Sequence, residues 1–208
     1  PPLNFPILIQ KIRDLYSIPI IIVDDGSNSP VGNDFNYINI DYLVNPVNLG
    51  KGASLLRGFR YAFKKGFTHG ISLDSDLQHD PKFIEEFLSV DENIALVYGK
   101  REFTRSMPIQ RRMSNIFSSQ IVSKLCNDKI FDSQCGFRRY LLSELCSNKY
   151  IENGFQFESE VMIKFARNGL RFAYIDISTI YNKEVSAIHS ILDSIKFIRL
   201  IYRCYILG

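Results

Sequence analysis

Along the chain, short β-branched runs alternate with longer stretches in which apolar side chains recur every three or four positions. Ile18 to Val23 is nearly unbroken aliphatic sequence, too short for a helix and suited to a strand covered on both faces. Ahead of it, Ile7, Ile9, Ile12 and Leu15 mark an approximate apolar face for a helix over Pro6 to Tyr16. Tyr37 to Val44 predicts a second strand, and a loop through Gly50-Lys51-Gly52 leads to a helix from about Ala53 to Lys65, ended by Gly66. Gly70 to Leu73 reads as a third strand. Asp80-Pro81 then supplies an N-cap and first-turn proline for a short helix over Lys82 to Leu88, followed by a strand from Ile94 to Gly99.

Beyond Gly99 the pattern changes. A polar and basic stretch, Arg101 to Arg112, precedes a helix from about Met113 to Cys126 and a glycine-containing segment, Asp132 to Arg138. Helical spacing returns at Leu141 to Cys146 and at Glu158 to Asn168, where Gly169 stops it, and Phe172 to Ile177 forms a last strand. This alternation predicts an α/β sandwich with a mostly parallel central sheet, whose ligands bind outside the carboxyl ends of the strands. Residues 1–185 are expected to form one domain. From Ser186 to Leu207 a helix would carry Lys196, Arg199 and Arg203 along one stripe, with Ile191, Leu192, Ile195, Ile198 and Ile201 on other faces. Residues 186–208 are therefore expected to lie on the domain, in a dimer contact or at a membrane interface.

Composition narrows the class only modestly. The 208 residues are 46% hydrophobic and 23% charged with a net charge of +3, which suits one ordinary domain and gives no general affinity for nucleic acid. Arg111-Arg112 and Arg138-Arg139 can still serve anions locally. Cys126, Cys135, Cys146 and Cys204 form no Cys-x-x-Cys pair, favouring buried thiols in a reducing, cytoplasmic setting. No apolar run reaches the roughly 18 residues of a spanning helix. The chain opens on Pro1-Pro2 without an initiator methionine, as a processed or truncated chain would.

Candidate chemistry gathers at strand ends. Asp74-Ser75-Asp76 follows the third strand, and alternation places Asp74 and Asp76 on one side with Gln78 next in the row, three hard oxygen donors for a divalent cation. His79 suits a magnesium or manganese shell less well and is assigned to a supporting role. Asp24-Asp25-Gly26-Ser27 ends the Ile18 to Val23 strand, where it can present a carboxylate to a nucleobase or ribose hydroxyl or simply close a turn. Asn48-Leu49-Gly50-Lys51-Gly52 opens a helix; its amides and Lys51 can face a phosphate, although the spacing is not that of a P-loop and a plain loop-to-helix joint remains the alternative.

Val23 to Ser27, Asn48 to Gly52, Leu73 to His79 and Ser133 to Arg138 together resemble glycosyltransferase family 2, nearest its dolichol-phosphate mannose synthase and polyprenyl-phosphate glycosyltransferase branch. The resemblance runs from about Ile18 to Tyr181. It implies a GT-A fold, a nucleoside diphosphate sugar such as GDP-mannose or a UDP-hexose, and Mg2+ or Mn2+. Asp24, Asp25, Gly50, Lys51, Asp74, Ser75 and Asp76 fall on the donor, and Asp74, Asp76 and Gln78 on the metal. Asp76, with Arg111 or Arg112 and Arg138, falls on the catalytic and acceptor side, where the branch holds a lipid phosphate. Phe155 to Glu158 resembles a segment lining the site. Two departures stand out. Pro1 to Asn4 replaces the family's opening strand with its Pro-x-Tyr-Asn-like loop, so either that first strand is absent from the sheet or the site is incomplete. Asp80 separates His79 from Pro81, where the branch has His followed by Pro.

The expected reaction is metal-dependent hexose transfer to a polyprenyl phosphate at the cytoplasmic membrane face. Such an acceptor is already ionised and needs no strong base, whereas a glycan hydroxyl would need one, drawn from Asp132, Glu158 or Glu160. Two other readings share these motifs: a haloacid-dehalogenase-like phosphatase with Asp74 as nucleophile, disfavoured by Gln78, and an inactive nucleotide-sugar binder. A homodimer fits either.

Overall fold

The structure, a computed structural model, describes residues 5–28, 39–102, 107, 109–179 and 190–206, without the side chains of residues 111 and 190–192. Helix α1 (Phe5–Leu15) leads into β1 (Ile20–Asp24), β2 (Ile40–Val44), α2 (Lys51–Lys64) and β3 (His69–Ser72). A 3-10 turn (Pro81–Phe83) runs into α3 (Ile84–Ser89), then β4 (Leu96–Arg101), α4 (Ile109–Cys126), β5 (Arg138–Leu141) and α5 (Leu142–Ser147). The chain closes with α6 (Phe157–Arg167), β6 (Phe172–Ile177) and α7 (Ser190–Ile206). The Asp80 carboxylate caps the 3-10 turn by accepting the Lys82 amide at 3.0 Å, as the Asp-Pro pair predicts.

Strands β1 and β2 pair in parallel, and a second sheet has the order β3-β5-β4-β6. Within it β4 and β6 are parallel, while β5 runs antiparallel to both β3 and β4. The sheet is thus mostly parallel, as expected, with β5 inserted against the others. No ladder joins β1 to β3 among the described residues.

Strand β5 corrects the sequence reading, which places no strand between Gly99 and Phe172. Alternate residues of a strand face opposite sides. Tyr140 enters the core formed with α2, α4, α5, α6 and α7, where Phe59, Val122, Phe157, Met162 and Leu200 are buried. On the other face Val97 joins Leu8, Ile12, Ile84, Phe87 and Phe137 beneath α1 and α3. Leu96 and Tyr98 of β4 belong to the first core and Val97 to the second, so helices cover both faces. Helix α4 also starts four residues earlier than its periodicity indicates, because Ile109, Met113 and Phe117 all point outward.

Helix α7 lies on the domain through Leu200, Cys204 and Phe197. Gln156 Nε2 donates to the Asp193 carbonyl at 3.1 Å, the Arg167 guanidinium donates to the Cys204 carbonyl, and Arg203 pairs with Glu152.

Candidate active site

Strands β1 and β3 deliver their acidic residues toward the first turn of α2. At the end of β1 the two aspartates divide the work. Asp24 is buried and accepts the Ser27 amide and the Tyr42 hydroxyl, each at 2.9 Å, which closes the turn. Asp25 reaches across to the loop before α2, accepting the amides of Leu49 and Gly50 and the Asn45 carboxamide, each at 2.8 Å. Burial pushes the Asp25 carboxyl up, but the Leu49 amide, Asn45, Ser54 and the Gly50 amide outweigh it and hold it below the usual range. Gly26 sits at φ 75°, and a Cβ there would lie 2.4 Å from the Val47 carbonyl carbon. Only glycine lets this turn and that loop pass so closely.

Anchored in this way, the loop presents Lys51 to the end of β3. Its Nζ lies 2.9 Å from Asp74 Oδ1 and 3.2 Å from Glu158 Oε1 on α6. Burial would lower the Lys51 pKa, but Asp74 and Glu158 reverse that and raise it. For Asp74, burial pushes the carboxyl up and Lys51 more than offsets it, leaving a carboxylate. Gly136 closes the cluster from above: a Cβ there would fall 2.4 Å from Asp74 Oδ2 and 2.8 Å from Lys51 Nζ. Ser72 Oγ donates to the Gly136 carbonyl at 2.7 Å and fixes that approach.

Asp76 differs from its neighbour. Its Oδ1 accepts the Gln78 amide at 3.0 Å, yet burial, with the Asp74 charge behind it, raises its pKa. Two carboxylates and a carboxamide are oxygen donors of the type a hard divalent cation takes, and Lys51 neutralises the first of them here. Leu77 between them takes φ 59°, outside ordinary strand geometry, so simple alternation does not describe the Asp74 to Gln78 row. His79 is buried with Nε2 3.9 Å from Cys135 Sγ and Nδ1 unpartnered. Burial, and then Arg101, push its pKa down to about 4.

The basic residues part company. Arg138 is fully buried, and its Nε, Nη1 and Nη2 donate to the carbonyls of Cys135, Glu158 and Ser133 at 2.6, 2.8 and 2.7 Å. It ties the loop bearing Gly136 to the start of α6 rather than facing the cleft. Arg139, on the opposite face of β5, donates to the carbonyls of Phe87, Val90 and Asp91 around the end of α3. Arg112 is exposed on α4, and the side chain of Arg111 lies outside the described residues. Arg101, at the end of β4, was not singled out from sequence; it grips the fully buried Asp132 through Nε at 2.7 Å and Nη2 at 2.9 Å. Its position at a strand end, four residues before Arg105, was the available signal.

A family model described as glycosyl transferase family 2 matches residues 6–146, more than half of the chain. The chain belongs to glycosyl transferase family 2. This glycosyltransferase is 28% identical over 145 residues to a UDP-N-acetylglucosamine–dolichyl-phosphate N-acetylglucosaminyltransferase of Methanococcus voltae, covering 65% of this chain and 57% of that protein. It is 22% identical over 190 residues to an undecaprenyl-phosphate mannosyltransferase of Micrococcus luteus, covering 84% and 77%. Among solved structures, glucosyl-3-phosphoglycerate synthase of Mycobacterium tuberculosis with Mn2+, UDP-glucose and phosphoglyceric acid superposes with a TM-score of 0.72. That likeness has 19% identity and covers 98% of this chain and 76% of the other. It shows the GT-A fold. Family membership also removes the phosphatase reading of Asp74.

Proposed function

We propose that this glycosyltransferase transfers a hexose from a nucleoside diphosphate sugar to a polyprenyl phosphate, using Mg2+ or Mn2+ held by Asp74, Asp76 and Gln78. One observation carries the choice of acceptor: every carboxylate considered as a general base is already engaged. Asp132 is held by Arg101 and Asn115, and Glu158 by Lys51. Glu160 accepts the Ile151 and Glu152 amides and pairs with Lys164. An ionised phosphate needs none of them, whereas a sugar hydroxyl would. The polyprenyl and dolichyl phosphates named for the two relatives point the same way.

In this reading the cation offsets charge on the departing diphosphate. The amides of the Asn48 to Gly52 loop and Lys51 face the donor phosphates, Asp25 holds that loop, and Asp24 and Asp25 border the base and ribose. Gly136 keeps the wall beside Asp74 thin. Arg112, with Arg111, orients the acceptor phosphate, while Arg138 contributes by positioning the loop that carries Gly136. Catalysis is then mainly electrostatic and positional.

A peripheral membrane contact at the cytoplasmic face fits this acceptor. On α7, Ile195, Ile198, Tyr202 and Tyr205 are exposed along one side with Lys196 and Arg199 nearby, and on α4, Ile109, Met113 and Phe117 are exposed one turn apart. No helix among the described residues is long and apolar enough to cross a membrane. The test is an assay of GDP-mannose, UDP-glucose and UDP-N-acetylglucosamine against polyprenyl phosphate and soluble glycans, with Mn2+ or chelator. Metal-dependent transfer to the lipid phosphate, abolished in Asp76→Asn, is expected; transfer only to a glycan hydroxyl would overturn the acceptor assignment.

A further inference from the structure

Beyond the acidic cluster, α2 walls a second cavity of about 540 Å³. Strand β2 borders it through Leu43, and the segment leading into α6 borders it through Tyr150 and Asn153. Arg57, Arg60 and Lys64 recur at three- and four-residue intervals, so one face of α2 turns all three cations toward this space. Among the described residues no carboxylate lines it. Arg57 is partly engaged, donating to the Val44 carbonyl at 2.7 Å and to the Asn45 side chain. Arg60 and Lys64 have no ion pair or hydrogen bond among the described residues. Three positive charges on one helical face repel one another unless something negative joins them.

The opposite wall is built rather than loose. Glu160 accepts the amides of Ile151 at 3.1 Å and Glu152 at 2.8 Å, and the Asn153 carbonyl accepts the Ala53 amide at 3.2 Å. The Tyr150 ring packs edge-on to Phe157 with centroids 5.0 Å apart, and Lys164 lies over it. Yet the Tyr150 hydroxyl is buried without a partner. A buried O–H left unpaired carries a desolvation penalty that a ligand acceptor would relieve. Burial also raises its pKa, so it stays a donor at neutral pH.

We propose that this cavity is an anion site separate from the transfer site, in which Arg57, Arg60, Lys64 and the Tyr150 hydroxyl hold a phosphate-bearing ligand. The phosphate can belong to a free small molecule or to a lipid headgroup, and Leu43, Ala53 and Leu56 supply an apolar wall beside it. Guanidinium, ammonium and phenol donors lining one cavity are the chemistry that recognises a phosphate.

Calorimetry with inorganic phosphate in the presence of chelator, together with flotation on phosphatidylcholine vesicles with and without phosphatidic acid, tests this on the whole chain. The double variant R60A/K64A should bind phosphate about tenfold or more weakly, or lose its preference for the acidic vesicles, according to the source of the phosphate. A charge-matched control, K11A/K124A, should keep both. Tyr150→Phe should weaken the same binding several-fold while leaving the free protein's Tm unchanged or slightly higher, because it removes an unpaired hydroxyl. Equal binding by wild type and R60A/K64A in both arms, or an equal loss in K11A/K124A, would overturn the proposal.

Discussion

Lys51 Nζ stands 2.9 Å from Asp74 Oδ1, so the first acid of the Asp-Ser-Asp triplet already has a counter-charge. A cation arriving at Asp74 and Asp76 must share that carboxylate with the ammonium. Lys51→Met is expected to bind Mn2+ about tenfold more tightly in the absence of nucleotide. It should also lose about 2 kcal/mol of stability, because Asp74 and Glu158 then face each other unneutralised. Electron paramagnetic resonance titration of Mn2+ and urea unfolding read the two effects separately. Unchanged or weaker Mn2+ binding would mean that the ammonium and the cation do not compete.

A side chain at Gly136 would act on the Asp74–Lys51 pair rather than on the fold. A Cβ 2.4 Å from Asp74 Oδ2 and 2.8 Å from Lys51 Nζ must displace one of them. Gly136→Ala is therefore expected to lower transfer at least tenfold while costing no more than about 1 kcal/mol of stability, because the atoms it displaces are the ends of two side chains rather than backbone. Activity within twofold of wild type, measured with saturating donor and metal, would show that the Asp74 carboxylate can move without consequence.

Arg138 and Arg112 should separate cleanly in mutants. Arg138 donates to three buried carbonyls, so Arg138→Met is expected to destabilise by about 3 kcal/mol or more, seen as a lower urea midpoint. Arg112 is exposed, and Arg112→Ala should shift stability by less than about 0.5 kcal/mol while raising the KM for a lipid phosphate acceptor. An Arg138→Met protein of normal stability with only acceptor binding impaired would return Arg138 to the cleft.

Arg138 and its neighbour Arg139 show where sequence reading stops. Strands β1 and β6 and helix α6 were legible because their apolar residues follow one period and glycine or acidic turns end them. Strand β5 was hidden because Arg138 and Arg139 occupy its start, and adjacent arginines read as surface. Their partners are carbonyls up to 52 residues away in sequence, at Phe87, Val90, Ser133 and Glu158, which no local pattern reveals. The acidic strand ends were visible as motifs. What they touch was not: Lys51 and Asp74 are 23 residues apart, and Glu158 joins them from another helix. Helix α4 was misplaced at its start for the converse reason, since outward-facing Ile109, Met113 and Phe117 break the inward apolar period on which such boundaries depend.

Asp132 gives the fold a dependence on acid. Burial pushes its carboxyl up, but the Arg101 charge, the hydrogen bonds from Arg101 and Asn115, and the Gln134 amide together hold it below the usual range. Because the folded value lies below the unfolded one, the unfolded chain takes up the proton first as pH falls. The stabilisation is fully present above about pH 4, the ordinary value for an aspartate, and is lost as pH drops through the lower folded value. Asp132→Asn leaves Arg101 without its bidentate partner, so it should lose about 3 kcal/mol at pH 7, the cost of breaking a buried pair. Its deficit relative to wild type should shrink below pH 4, where wild type gives up the same charge. Urea midpoints for both proteins between pH 7 and pH 3 measure this; a deficit that stays constant across the range would mean that the carboxylate charge contributes nothing and that the variant acts only through packing.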